Sequence, residues 1–224
     1  DAGDDADADA GDGIPIPVEG GGVVETIEPI DAGINFNFGL PGTNVPSGFT
    51  QDVGQAYDAD RGFGWVTQES AGSDNLTPLN VVVNGRDRDT LFSDGQGGQF
   101  EEPVRDSLIH MQYPTRAGVF NPTAELTPAA WELDLANGQY EVTVGVGDAE
   151  FFDSNHVINV EGENLISGFI PEGSEVNGNL PIGAEAFTKA SAVVEVNDGR
   201  LSVDAIGGEN TKINFISIVA VDTI

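Results

Sequence analysis

Residues 137–162, NGQYEVTVGVGDAEFFDSNHVINVEG, constrain the fold more than any other stretch. Tyr140, Val142, Val144 and Val146 recur at every second position, with Glu141, Thr143 and Gly145 between them. Further on, Val157 and Asn159 oppose His156, Ile158 and Val160. A helix needs apolar residues near every 3.6 positions, whereas a strand with one buried face needs a period of two and favours β-branched residues. Asn137-Gly138 ahead of the first run is a tight-turn signal, because glycine tolerates the positive φ such turns require. Between the runs, Asp148-Ala149-Glu150-Phe151-Phe152-Asp153 sets two rings among three acids. Rings at the rim of a buried sheet either cover the core or face a ligand.

Alternation recurs over residues 34–38 and 131–135; residues 107–113, 186–196, 201–206 and 213–219 read as further strands, and residues 81–83 add a short valine strand. Residues 49–65 and 91–103 read as loops, the first carrying Tyr57, Phe63 and Trp65. About eight or nine strands with turn signals at regular spacing predict an all-β chain, an antiparallel β-sandwich or jelly roll. At 224 residues the chain is long enough for one such core. Arg86, Asp87, Arg88 and Asp89 read as a local ion-pair cluster.

Acids outnumber bases 38 to 8, for a formal charge of −30. Such a surface repels nucleic acid and anionic membranes, and no run approaches the roughly 18 apolar residues of a membrane span. It suits a saline or calcium-rich exterior, where screening weakens self-repulsion and carboxylates meet hard cations. The absence of cysteine excludes disulfides, cysteine-ligated zinc, iron–sulfur clusters and thiol catalysis. The opening at Asp1 rather than Met reads as a processed product. With the charge, it gives the expectation of an extracellular or cell-surface protein whose signal peptide has been removed.

Residues 1–32 form a separate acidic, Gly- and Pro-containing tail, and 33–224 the sandwich. Residues 1–13 are almost entirely Asp, Ala and Gly. Counted from Asp5, Ala10 and Ile16 fall where an EF-hand needs Gly and Glu, so no EF-hand forms there. Ile14, Ile16 and Val18 share one side of an extended segment with prolines on the other, followed by Gly20-Gly21-Gly22 and then Val23, Val24 and Ile27. Proline cannot donate to a ladder, so this is no central strand. It is either a solvated linker or a strand that completes a neighbouring copy's sheet.

Taken together, INFNFG (34–39), GQAYDADRGFGW (54–65), RDR (86–88), DSLIHMQ (106–112), the long motif over 131–163 and DGRLSVDAIGGENTKINFISI (198–218) resemble the malectin-like carbohydrate-binding domains of secreted bacterial proteins. The resemblance covers about residues 33–220 and leaves the tail outside. It implies a jelly roll that holds sugar at one end through loop aromatics and acidic or amide side chains. Carried onto this chain, those are Tyr57, Trp65, Tyr113, Phe151, Phe152 and Asp153.

Catalytic signals are weak. The two histidines, His110 and His156, lie inside strand patterns, and Ser154 is not in a nucleophile elbow. Asp148, Glu150 and Asp153 could imitate a glycosidase acid pair, but in so acidic a chain such proximity arises by chance. No cofactor is required; calcium is the one candidate, with Asp148, Asp153 and Asp204 as ligands. Asn75-Leu76-Thr77 is a glycosylation sequon. The leading expectation is a non-catalytic extracellular subunit that polymerises by docking Ile14, Ile16, Val18, Val23, Val24 and Ile27 into the next copy. The alternative is a carbohydrate-binding module of a secreted enzyme or adhesin, and a hydrolase using the acidic loop comes last.

Overall fold

The computed structural model describes residues 33–89, 103–113, 123–172 and 186–221, and the backbone of four short strands outside them. Of those four, β1 (Ile16–Pro17) and β2 (Val23–Val24) pair antiparallel with each other, Ile16 opposite Val24. The remainder of the expected assembly strand, including Ile14, Val18 and Ile27, lies outside the described residues.

The body begins with β3 (Ile34–Phe38), β4 (Thr50–Asp52), β5 (Phe63–Thr67) and β6 (Gly85–Asp87). A two-stranded hairpin of β7 (Leu91–Ser93) and β8 (Gln99–Glu101) follows where the sequence suggests a loop. Then come one helical turn, α1 (Pro103–Asp106), and the strands β9 (Ser107–His110), β10 (Ala129–Asp134) and β11 (Gly138–Gly147). The chain continues through β12 (His156–Val160), β13 (Glu163–Phe169), β14 (Phe187–Val196), β15 (Arg200–Asp204) and β16 (Lys212–Ala220).

Two sheets result. One runs β13-β12-β15-β10-β5; the other runs β14-β11-β16-β3-β4, with β9 beside the head of β16 and β6 beside β9. All neighbours are antiparallel except β3 and β4. Their facing sides bury Val142, Val144 and Val146 from β11, Ile216 and Ile218 from β16, Ile158 and Val160 from β12, and Leu201 and Val203 from β15. Each fully buried side chain of this size contributes about 1.5–3 kcal/mol, so the period of two becomes two packed layers. The expected β-sandwich is the fold.

At one end of the core, Phe38 meets Trp131 and Trp65 edge-on, with centroids 5.6 and 5.7 Å apart. Both indoles are fully buried and donate to one carboxylate: Trp65 Nε1 to Asp52 Oδ1 and Trp131 Nε1 to Asp52 Oδ2, each at 2.8 Å. The Gly54 amide also donates to Oδ1, at 2.7 Å. Burial pushes the Asp52 carboxyl up, and these three donors only partly offset it.

Residues 49–65, expected as a loop, hold β4 and enter β5, and two further local expectations change. Residues 82–84 form a 3₁₀ turn, because Asn84 exchanges hydrogen bonds with the backbone of Glu125 (2.9 and 3.0 Å) and so anchors the segment across the fold. Gly138 begins β11 without a positive φ; the left-handed glycine is Gly199 (φ 85°), between β14 and β15. Asn137 Nδ2 instead reaches the Asn197 carbonyl at 2.7 Å.

Candidate functional site

The head of β16 lies between two neighbours, β11 on one side and β9 on the other, with β6 beyond β9. Lys212 is in register with His110 and Arg86 with Leu108. The loop after β11, the residues after β9 and the end of β6 therefore meet at one rim. They enclose a cavity of about 170 Å³ lined by Arg86, Arg88, His110, Tyr113, Phe151, Asp153, Asn210 and Lys212. Pockets that bury a drug-sized ligand hold roughly 300–1,000 Å³, so this one is sized for a single small unit or chain end.

Lys212 organises the rim. It is 1% exposed; its ammonium donates to Asp153 Oδ1 (2.9 Å) and the Phe151 carbonyl (3.0 Å) and forms an ion pair with Asp148 Oδ2 at 2.9 Å. Two hydrogen bonds and one ion pair thus pin the 148–153 loop to β16. Arg88 grips Asp148 from the other side with Nε (2.8 Å) and Nη2 (2.6 Å), reaches Glu150 at 3.3 Å, and lies over the Phe151 ring at 4.8 Å. Burial on its own would raise the Asp148 carboxyl; Lys212 and Arg88 outweigh it and hold the group below the usual carboxylate range. The arginines therefore do not form the local cluster expected of 86–89: Arg88 reaches across the fold because a fully buried carboxylate there requires a partner.

A second chain of bonds fixes the opposite wall. The Asp153 carboxylate can only accept, so Asn210 turns its amide nitrogen toward it (3.0 Å) and its oxygen toward His110 Nδ1 (2.7 Å). His110 Nδ1 therefore carries the proton. Asn210 has a φ of 55°, a left-handed conformation that asparagine tolerates better than most residues. Burial, then the charge of Lys212, pushes His110 down to about 3. His156, fully buried behind the rim, accepts the Lys212 backbone N–H on Nδ1 (3.2 Å) and is likewise pushed down to about 3 by burial and then Lys212. Both imidazoles are neutral. On the outer wall, Arg86 Nη2 donates to the Tyr113 hydroxyl (3.0 Å), and its guanidinium stands 5.4 Å from that ring's centroid.

The structure gathers Tyr113, Phe151 and Asp153 of the six sugar-binding candidates. Phe152, half-buried beside them, does not line the cavity. Tyr57 lies elsewhere: its hydroxyl bonds Asp134 Oδ1 at 2.7 Å, and burial with that carboxylate pushes it up to about 12. Trp65 is a correction. Its ring is 0% exposed and its N–H is held by Asp52, so it has no face to offer a sugar.

The metal candidates are engaged as well. Asp148 and Asp153 hold Lys212 and Arg88, a poor fit for a calcium ion, and Asp204 accepts from Asn159 (2.7 Å) and the Ile206 amide (2.8 Å). Elsewhere, Asp87, Asp89 and Asp106 bring carboxylate oxygens within 4.8 Å of one another. The sequence reading passed over Asn210 and Lys212 as site residues. Their signal was a lone lysine at the head of a strand rich in isoleucine, within the closing Gly207-Gly208-Glu209-Asn210-Thr211-Lys212-Ile213-Asn214.

No family model matches the chain, and no curated protein matches it. Solved structures do. A calcium-binding mutant of β-glucuronidase 2 from Bacteroides uniformis aligns over 86% of this chain and 18% of its own, at 14% identity and a TM-score of 0.51. The YXIM protein of Bacillus subtilis aligns over 85% of this chain and 40% of its own, at 18% identity and a TM-score of 0.45. CBM35 from Paenibacillus barcinonensis aligns over 75% of this chain and 100% of its own, at 16% identity and a TM-score of 0.29. The chain thus spans less than half the length of the first two. At such identities the likeness is one of fold, and of these three the glucuronidase alignment is the one that bears on it. Among the described residues, no helix is long and apolar enough to cross a membrane.

Proposed function

We propose that the chain is a non-catalytic carbohydrate-binding module whose ligand enters the cavity at the head of β16. The observation that carries this reading is the convergence of Tyr113, Phe151 and Asp153 on one concave rim, where the amide of Asn210 and the guanidinium of Arg86 join them. Aromatic faces stack on sugar C–H groups while carboxylate, amide and guanidinium groups meet hydroxyls, the chemistry a polyol needs. Phe151 is 38% exposed, so part of its ring is open to a ligand.

The same geometry argues against bond cleavage. A glycosidase pair requires one carboxyl with a raised pKa to act as acid. Here Asp148 is held low by Lys212 and Arg88, and both histidines are neutral and hydrogen-bonded. A secreted setting accompanies the proposal, since the acidic surface and the sugar ligand suit it equally. The assembly strand finds no comparable support: Ile16–Pro17 and Val23–Val24 are paired with each other.

A glycan array probed with wild type, Phe151→Ala and Tyr113→Ala tests the reading. A stacked ring is worth about 0.5–1.5 kcal/mol, so each variant is expected to weaken binding by up to about tenfold, while Tyr57→Phe, outside the cavity, binds as wild type does. An array left blank by the wild type, or binding indifferent to both ring truncations, contradicts it.

A further inference from the structure

Arg86 stands apart from the other cations of the cavity. Lys212 is held by two hydrogen bonds and an ion pair with Asp148, and Arg88 closes its Nε and Nη2 on the two oxygens of Asp148. Arg86 donates Nη1 to the carbonyls of Val83 (3.1 Å) and Gly85 (2.5 Å) and one Nη2 hydrogen to the Tyr113 hydroxyl. A guanidinium has five N–H donors. Nε–H and one Nη2 hydrogen therefore have no acceptor among the described residues, and Nε and Nη2 are the nitrogens with which Arg88 clasps a carboxylate. Among the described residues Arg61 also has no carboxylate partner, but its Nε and Nη2 already reach the carbonyls of Phe63 and Ala56. The contrast is sharp in a chain where 38 acids compete for 8 bases. The guanidinium is itself held still by two carbonyls and a phenol, which lowers the entropy lost when a ligand docks.

We infer that the cavity selects glycans ending in a carboxylate-bearing sugar, whose carboxylate takes the Nε/Nη2 edge of Arg86 while the ring lies against Tyr113 and Phe151. Two parallel N–H donors match two carboxylate oxygens, whereas a hydroxyl satisfies one of them. The inference rests on the cavity being the glycan site proposed above, and adds to it the class of sugar.

The test is an array carrying uronate-terminated oligosaccharides beside neutral counterparts of the same linkage, followed by calorimetry on the strongest pair at low ionic strength. The wild type is expected to bind the acidic partner at least about tenfold tighter, the discrimination a bidentate charged contact gives. Arg86→Gln is expected to weaken both ligands, since the guanidinium also meets hydroxyls, but the acidic one far more, so that the acidic-to-neutral affinity ratio falls to about one; Arg86→Lys, which keeps the charge without the fork, should restore only part of that ratio. Thermal melts of both variants report whether the fold survives, and either variant alone suffices. A preference for neutral sugars, or an acidic preference that survives Arg86→Gln, overturns the inference and leaves the glycan-binding reading standing. A wild type that retains no glycan overturns both.

Discussion

Asp52 joins two sheets through one side chain. It ends β4, the three-residue edge strand, and its two oxygens receive the indoles of β5 and β10. Replacing it with alanine would leave Trp65 Nε1 and Trp131 Nε1 buried without an acceptor. An orphaned buried donor costs about 1–3 kcal/mol, so Asp52→Ala is expected to lower stability by on the order of 2–5 kcal/mol in urea unfolding; a loss under about 0.5 kcal/mol would contradict the role given to it. The histidines carry a pH prediction. Unfolded, each protonates near 6.5; folded, His110 and His156 stay neutral down to about 3. Between those values the unfolded chain binds more protons, so stability falls as pH drops, by up to about 1.4 kcal/mol per unit for each histidine. Asp52, Glu132 and Glu161, all raised by burial, act in the opposite sense, so a difference measurement is needed. His156→Asn keeps an oxygen able to accept the Lys212 amide, and the stability gap between wild type and variant should move by about 1.4 kcal/mol per unit between pH 6 and 4. A gap independent of pH would show that His156 is not buried neutral.

Strand β11 illustrates how much of an element its sequence can carry. Val142, Val144 and Val146 face the core while Thr143 meets Ser191 across the ladder at 2.7 Å, so one dry face and one wet face leave a clean period of two. Gly145 breaks the pattern for a reason visible only in three dimensions. It sits opposite Phe215 on β16, and a methyl group there would stand 2.0 Å from that ring. Gly145→Ala is accordingly expected to destabilise by about 1–3 kcal/mol, read as a lower denaturation midpoint with an unchanged slope; an unaffected midpoint would mean the two strands can part without cost. The long strands were legible for this reason. β3 and β9 were legible too, but β4, the start of β5 and the β7–β8 pair fall in stretches that read as loops, and the valines of 81–83 turn because Asn84 is held by Glu125, 41 residues away. Local propensity had no access to that partner.

At the scale of the molecule, the acidic loop of 148–153 could be picked out from sequence because rings among acids are conspicuous, whereas Tyr113 entered only through the family resemblance. Their meeting could not, since it depends on the order β11-β16-β9-β6, which places residues 110, 148, 210 and 212 at one rim. Trp65 misled for the complementary reason: an aromatic in a polar loop-like segment looks like a platform, and only the buried Asp52 beneath it reveals a core residue. The chain carries a formal charge of −30, yet the cavity lining includes three of its eight bases, so the site differs in charge from the chain as a whole. The most direct measurement is a ¹H–¹⁵N correlation spectrum recorded while the best-binding glycan is titrated in. Shifts confined to residues 86–88, 110–113, 148–153 and 210–212 are the predicted result; shifts centred on Tyr57 and Asp134, or none at all, would contradict a sugar site at the head of β16.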